Sequence, residues 1–144
     1  MHMPRILAVL AMAAAAMPLS AVAQALSFEQ FQSPSGNIFC GMGITDGGNG
    51  VAECEIVNRN WAAPQQPADC PLSFGDRIGI QQGEPARFGC HGDTLRGIGF
   101  PTLAYGHSRS AGAITCSSDP SGMTCTDNGT GHFFKISRES YELG

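Results

Sequence analysis

Three of the histidines and one aspartate are the side chains of this sequence best suited to catalysis or metal binding. His91, Asp93, His107 and His132 each adjoin a glycine. Imidazole and carboxylate groups are common ligands of transition metals, so a His-x-Asp pair with two further histidines forms a metal site if the loops converge. Their spacing does not require convergence, and exposed loop histidines are common. We therefore predict no metal and no other cofactor.

The common signatures of catalytic sites are absent from the sequence. Ser35 and Ser121 lie in turn sequences, and no G-x-S-x-G motif surrounds a serine. Glu53 and Glu55 lie two residues apart on the outer face of a predicted hairpin, which is typical of solvated carboxylates rather than of a glycosidase pair. We predict a protein that is not an enzyme. A small hydrolase that uses His91, Asp93 and His132 is a less favoured alternative.

The elements that position these residues begin with a hairpin of two strands, residues 37–44 and 51–57, joined by a glycine-rich link. If Cys40 lies opposite Cys54, one face of the hairpin is wholly apolar. A slip of one residue would bury the two glutamates of the second strand, so the cysteine pair and the apolar pattern specify the same register. The other residues of the apolar face are Ile38, Met42, Ala52 and Ile56.

Two further disulfides are predicted from the remaining four cysteines. Cys116 and Cys125 flank the turn sequence Asp119–Gly122, which favours a second hairpin with the two cysteines opposed. A glycine bulge at Gly122 would shift that pairing by one residue. Cys70–Cys90 follows by elimination. A zinc site is excluded by spacing, because no C-x-x-C pair occurs.

The first 23 residues have the features of a secretory signal peptide: a short basic start, an apolar run and a small-x-small site that ends at Ala23. Cleavage after Ala25 is the near alternative. Residues 24–144 then form a single domain without a membrane span, exported to the periplasm or beyond the cell. The net charge of −4 is scattered, with no basic stripe, so we expect no nucleic-acid partner.

The composition predicts the fold class. Glycine is abundant at 19 residues, charged residues make up only 14%, and no segment has a sustained helical period. We predict an all-β, disulfide-stapled antiparallel sandwich or barrel of about seven to nine short strands. Phe88 and Cys90 are predicted to face inward, and residues 106–110 to form a turn. Beyond the two hairpins, the predicted strands are residues 26–31, 77–80, 86–90, 102–105 and 132–137.

A series of motifs follows in order along the mature chain: Phe31–Cys40, Cys54–Ile56 with Arg59 and Trp61, Cys90–Thr94, Tyr105–Gly106, Ile114–Cys116, Gly122–Cys125, and Thr130 through Arg138 to Tyr141. With these motifs the chain resembles a family of small exported bacterial domains of unknown function. The resemblance implies an exported domain, sometimes attached to other modules, and no established activity.

Together these features predict a non-enzymatic binding module of the cell envelope, whose partner is an unknown protein or envelope component. Rigid hairpins would present loops as the contact surface, because contacts are usually made by loops on a rigid scaffold. An inhibitor of an envelope-targeting hydrolase, similar to exported lysozyme inhibitors, is the alternative by analogy of fold. The predicted contact residues are Trp61, His91, Asp93, Tyr105, His107 and His132.

Overall fold

The computed structural model describes residues 28–144. The predicted signal peptide and the first residues of the predicted strand 26–31 lie outside that range. The described residues form ten strands in two antiparallel sheets of five. The first sheet contains β1 (Phe28–Gln32), β2 (Ile38–Ile44), β3 (Gly50–Ile56), β4 (Arg77–Gln81) and β5 (Arg87–Phe88). The second contains β6 (Ser108–Ala111), β7 (Ile114–Asp119), β8 (Gly122–Asp127), β9 (Phe133–Ile136) and β10 (Tyr141–Leu143).

The two sheets pack face to face as a sandwich, and neither closes into a barrel. Within each sheet, strands that are consecutive in sequence pair with each other, so the strand order follows the chain. The all-β prediction is thus confirmed, with ten strands where about seven to nine were expected. Apolar side chains from both sheets form one core, among them Phe31, Ile56, Ile78, Ile114, Met123, Phe134 and Ile136.

All three predicted disulfides are present. Cys40 lies directly opposite Cys54 in β2 and β3, and Cys116 lies directly opposite Cys125 in β7 and β8. Both pairs point into the core from opposite sheets, and the sulfurs of Cys54 and Cys125 are 4.0 Å apart. The two bridges therefore pack against each other at the centre of the sandwich.

The strand registers match the apolar patterns. Ile38 pairs with Ile56 across the first hairpin, as predicted. In the second hairpin Asp119 pairs with Gly122 around a two-residue turn, so no bulge shifts the cysteines. Gly122 has a φ of 135°, and a Cβ there would lie 2.6 Å from the carbonyl oxygen of Ile136. Only glycine fits this turn without moving the neighbouring strand.

Three local predictions were wrong. Residues 102–105 do not form a strand, since Thr102 makes only a single parallel bridge to Gln32. The segment predicted as a turn contains the start of β6 at Ser108, because these residues pair with β7 as an edge strand. Cys90 is exposed rather than inward, because β5 ends at Phe88 and the chain leaves the sheet there.

The two ends of the sandwich differ. At one end, side chains tie the turns of the two sheets together: the Gln82 amide oxygen accepts from the backbone N–H groups of Gly50 (3.1 Å) and Ala113 (3.2 Å). The Asp127 carboxylate accepts from the N–H of Gly83 at 2.7 Å. At the opposite end, the turns leave an open cavity.

Residues 28–144 contain no helix long and apolar enough to cross a membrane.

Candidate functional site

The predicted pair His91 and Asp93 belongs to a group of charged side chains on the outer surface of β3 and β4. Two members are almost fully buried, since Glu55 is 2% exposed and Arg77 is 3% exposed. Charges are rarely buried in proteins unless they are paired. The group, called here the charged cluster, consists of Glu55, Asp76, Arg77, His91, Asp93 and Arg96.

Glu55 is the centre of the charged cluster. One carboxylate oxygen accepts from Arg77 Nη2 at 3.1 Å and from the backbone N–H of Leu95 at 2.6 Å. The other accepts from the Thr94 hydroxyl at 2.9 Å and lies 3.3 Å from Arg96 Nε. The prediction that Glu55 is solvated was wrong. Its side chain does leave the core face, but the segment that follows β5 covers it.

His91 is held between two acceptors. Its Nε2 lies 2.7 Å from an Asp76 carboxylate oxygen, and its Nδ1 lies 2.6 Å from the carbonyl oxygen of Asp93. Both ring nitrogens can donate at once only in the imidazolium form. Burial alone would lower the pKa of His91, but the hydrogen bonds to Asp76 and to the Asp93 carbonyl outweigh it and raise the pKa above its ordinary value. The nearby Arg77 lowers the pKa of Asp93.

The raised pKa of His91 predicts how stability depends on pH. The folded protein holds this proton more tightly than the unfolded chain, whose histidine pKa is about 6.5. The stabilisation is therefore fully present below about pH 6.5 and is lost as pH rises through the folded-state pKa. Urea unfolding across this range should give a free energy of unfolding that falls with rising pH, and His91→Gln should flatten the slope. The exposed-site control His107→Gln should retain it; an equal slope in His91→Gln contradicts the assignment.

Three members of the charged cluster, Glu55, Asp76 and His91, have ligand atoms within 4.8 Å of one another, as a metal site would require. These ligand atoms are nevertheless already engaged in hydrogen bonds. Both ring nitrogens of His91 face oxygen acceptors, and both carboxylate oxygens of Glu55 face N–H or O–H groups. The guanidinium groups of Arg77 and Arg96 add positive charge beside them. The chemistry of this set is that of an ion-pair network, which does not fit a cation.

The charged cluster holds the base of the segment 91–101, called here the 91–101 loop. Leu95 is buried against the sheet, and the side-chain amide of Gln32 donates to the carbonyl of Phe100 at 3.3 Å. The backbone N–H of Gln32 donates to the carbonyl of Pro101 at 2.9 Å. Between these anchors Ile98 is 98% exposed. The loop is thus fixed at both ends and presents an apolar side chain at its tip.

Trp61, one of the predicted contact residues, packs against two other aromatic side chains. Its ring packs against Tyr141 and Phe88, with centroid separations of 4.8 and 6.1 Å. Its indole N–H donates to the carbonyl of Ser137 at 2.8 Å. These contacts join the segment after β3 to the second sheet, and they agree with the role of a core or loop anchor.

The remaining predicted contact residues are dispersed. Tyr105 and His107 are exposed in the connection before β6. His132 is half-buried beside β9, where its Nδ1 lies 3.3 Å from the carbonyl oxygen of Gly144. In residues 28–144, no hydrogen bond or ion pair joins His132 to His91 or Asp93. Of the three residues of the hydrolase hypothesis, His91 and Asp93 thus lie in the charged cluster, and His132 directly precedes β9 in the second sheet.

A feature that the sequence analysis missed is the cavity at the open end, which has a volume of about 340 Å³. Ser118 lines it, is 1% exposed, and has a hydroxyl without a hydrogen-bond partner among the described residues. An unsatisfied buried hydroxyl costs about 1–3 kcal/mol. The sequence signal was a serine at the third inward position of β7, after Ile114 and Cys116. The polar residues that line the cavity include Asn58, Tyr105, Ser118, Asp119, Arg138 and Glu139.

These features define a disulfide-bonded β-sandwich with a clamped, projecting loop and an open polar cavity. The chain belongs to a family of unknown function (DUF6636), whose family model matches residues 6–143. The match agrees with the resemblance to an uncharacterised domain family. No curated protein matches the chain, and no solved structure does. Three disulfides are typical of an oxidising compartment outside the cytoplasm.

Proposed function

We propose that the protein is a non-enzymatic binding module of the cell envelope and that the 91–101 loop is its contact with a partner protein. The observation that carries this proposal is the complete exposure of Ile98 on a loop whose base is immobilised. An isolated apolar side chain in water gains free energy by entering a pocket on a partner. Because the loop is already ordered, little conformational entropy is lost on binding.

The surroundings of Ile98 favour a protein pocket as its target. Gly97 and Gly99 flank it, so the isoleucine projects without competing side chains. The ring of Phe100 packs where a Cβ of Gly97 would lie, which supports the tip from below. Arg96 is partly exposed at the edge of this projection. A central apolar anchor with a polar rim is the common arrangement of a binding hot spot.

An inhibitor of an envelope-targeting hydrolase is the second candidate. The same clamped, convex loop supports it, since a convex segment of this kind fits the concave active site of an enzyme. The two candidates differ in the partner rather than in the contact surface. Addition of the oxidised protein to lysozyme separates them. Loss of lysozyme activity that does not occur with Ile98→Ser assigns the inhibitor role for that target.

Replacement of Ile98 by serine is expected to reduce capture of the partner from envelope extract by at least about tenfold, because it removes the proposed anchor. The free energy of unfolding should change by less than about 0.5 kcal/mol, as is usual for an exposed position. Capture is measured with immobilised, oxidised protein followed by mass spectrometry, and stability by urea unfolding.

Leu143→Ser is the matched control for Ile98→Ser. Leu143 is an exposed apolar residue (42%) on β10, in the other sheet. Proteins captured by the wild type and by Leu143→Ser but not by Ile98→Ser are the partners that the proposal expects. Equal capture by the wild type and both variants would remove the 91–101 loop from the contact. Turnover of a captured component would contradict a non-enzymatic role.

A further inference from the structure

The cavity at the open end lies between the two sheets. The first sheet contributes the segment before β2 and Asn58 after β3, and the second contributes the β7–β8 turn and residues 137–139 that follow β9. A molecule bound there would contact both halves of the sandwich. The cavity has a volume of about 340 Å³, which lies at the lower end of the range for small-ligand sites.

Ser118 is the feature of this cavity that points to a ligand. Its position on β7 faces inward, and the side chain is almost fully buried. Its backbone groups are already engaged, because its N–H donates to the carbonyl of His107 at 3.0 Å and its carbonyl accepts from Gly106 at 2.8 Å. The backbone at this position is therefore fixed, while the hydroxyl has no partner among residues 28–144. Buried polar groups normally have partners, so a missing one calls for an explanation.

We propose that this cavity binds a mono- or disaccharide. The lining offers the donors and acceptors that a hydroxyl-rich ligand needs, since sugar hydroxyl groups both donate and accept. Ser118 and Asn58 can do either, Asp119 and Glu139 accept, and Arg138 donates. Tyr105, which is 46% exposed, supplies an aromatic surface with a polar tip beside them.

Other ligand classes fit the lining less well. One arginine against two carboxylates does not favour a phosphate or another multiply charged anion. An apolar ligand would leave Ser118 and the other polar groups unpaired. A neutral molecule with several hydroxyl groups can pair with the two carboxylates and with the arginine, and it reaches the serine hydroxyl when that side chain rotates toward the cavity.

This inference does not depend on the function proposed above. Ile98 and the charged cluster do not line the cavity. A negative result with Ile98→Ser therefore leaves the saccharide site untouched, and a negative result with saccharides leaves the loop contact untouched.

The test is a titration of the oxidised, ¹⁵N-labelled protein with two probes, diacetylchitobiose and maltose, followed by amide chemical shifts; inorganic phosphate is the comparison ligand. We expect saturable shifts with at least one disaccharide, confined to residues 33–37, 105–106, 118–122 and 137–139. Phosphate should cause none at this site. Absence of open-end shifts with both disaccharides up to millimolar concentration, or equal shifts with phosphate, overturns the proposal.

Ser118→Ala distinguishes a binding role from a structural one. Removal of the unpaired hydroxyl should leave the free energy of unfolding unchanged or raise it, while the affinity for the disaccharide falls about tenfold. Ser117→Ala is the matched control, because that neighbouring hydroxyl bonds to Ser108 at 2.9 Å on the outer face and should not affect affinity. Tyr105→Ala should also weaken binding. Unchanged affinity in both Ser118→Ala and Tyr105→Ala contradicts the assignment.

Discussion

Replacement of Arg77 by methionine is expected to lower the free energy of unfolding by about 3–5 kcal/mol, because it removes the buried partner of Glu55 and leaves that carboxylate only the partly exposed guanidinium of Arg96. Arg77 lies 3.1 Å from Glu55, 2.9 Å from Asp93 and 3.6 Å from Glu53. Without the guanidinium these carboxylates would repel one another, and Glu55 would remain desolvated under the 91–101 loop. Urea unfolding of the oxidised protein measures the loss.

Two further variants show whether the loss comes from the ion pair. Adding Glu55→Gln should recover part of the stability lost in Arg77→Met, because a neutral amide still accepts from Leu95 without an unpaired charge. Arg87→Met on β5 removes an exposed pair with Glu84 and should cost less than about 1 kcal/mol. A similarly small loss in Arg77→Met, or simple additivity with Glu55→Gln, would show that the pair is not what stabilises this surface.

Removal of the Cys40–Cys54 bridge by a double alanine substitution is expected to cost about 2–5 kcal/mol. Two effects add. The bridge closes a loop with a sequence separation of 14 in the unfolded chain. Both cysteines are also fully buried, and the sulfur of Cys54 packs on that of Cys125, so their removal leaves a void between the sheets.

The Cys70–Cys90 bridge is the control that separates these two effects. Its sequence separation of 20 is the larger one, so loop entropy alone would make its removal more costly by a few tenths of a kcal/mol. Cys90, however, is exposed. If packing dominates, removal of Cys40–Cys54 lowers the urea midpoint more than removal of Cys70–Cys90. The reverse order would assign the stabilisation to chain entropy.

The hairpins could be predicted from sequence because two independent signals agreed in each of them. In the first, the apolar alternation and the pairing of Cys40 with Cys54 allowed only one register, and the structure has that register. In the second, Pro120 and Gly122 marked the turn, and opposed cysteines followed. Contacts of this kind are local, so that short-range periodicity determines them.

The burial of Glu55 could not be predicted in the same way. Alternation placed its side chain outside the core correctly, but the cover comes from Thr94 and Leu95, about forty residues further along the chain. That cover is a glycine-dense segment without a period, and its position is set by side-chain ion pairs. The same long-range contacts moved His91 from an expected exposed loop to a buried one.

The cavity was missed for a related reason. Ser118 lies within an alternating strand, where one polar residue at an inward position carries little weight against Ile114 and Cys116. Its significance arises only when the β7–β8 turn is placed beside Asn58 and Arg138, which come from other parts of the chain. A cavity between two sheets is a property of their packing, and no single segment encodes it.

The order of the sulfur crosslinks along the chain has a consequence for how the molecule matures. Each cysteine is joined to the next one in sequence, with separations of 14, 20 and 9, so the three covalent rings neither overlap nor enclose one another. For a chain that is translocated amino terminus first, as its sequence predicts, each ring can close before the following thiol emerges. Maturation then requires an oxidant, but no exchange of wrongly joined partners.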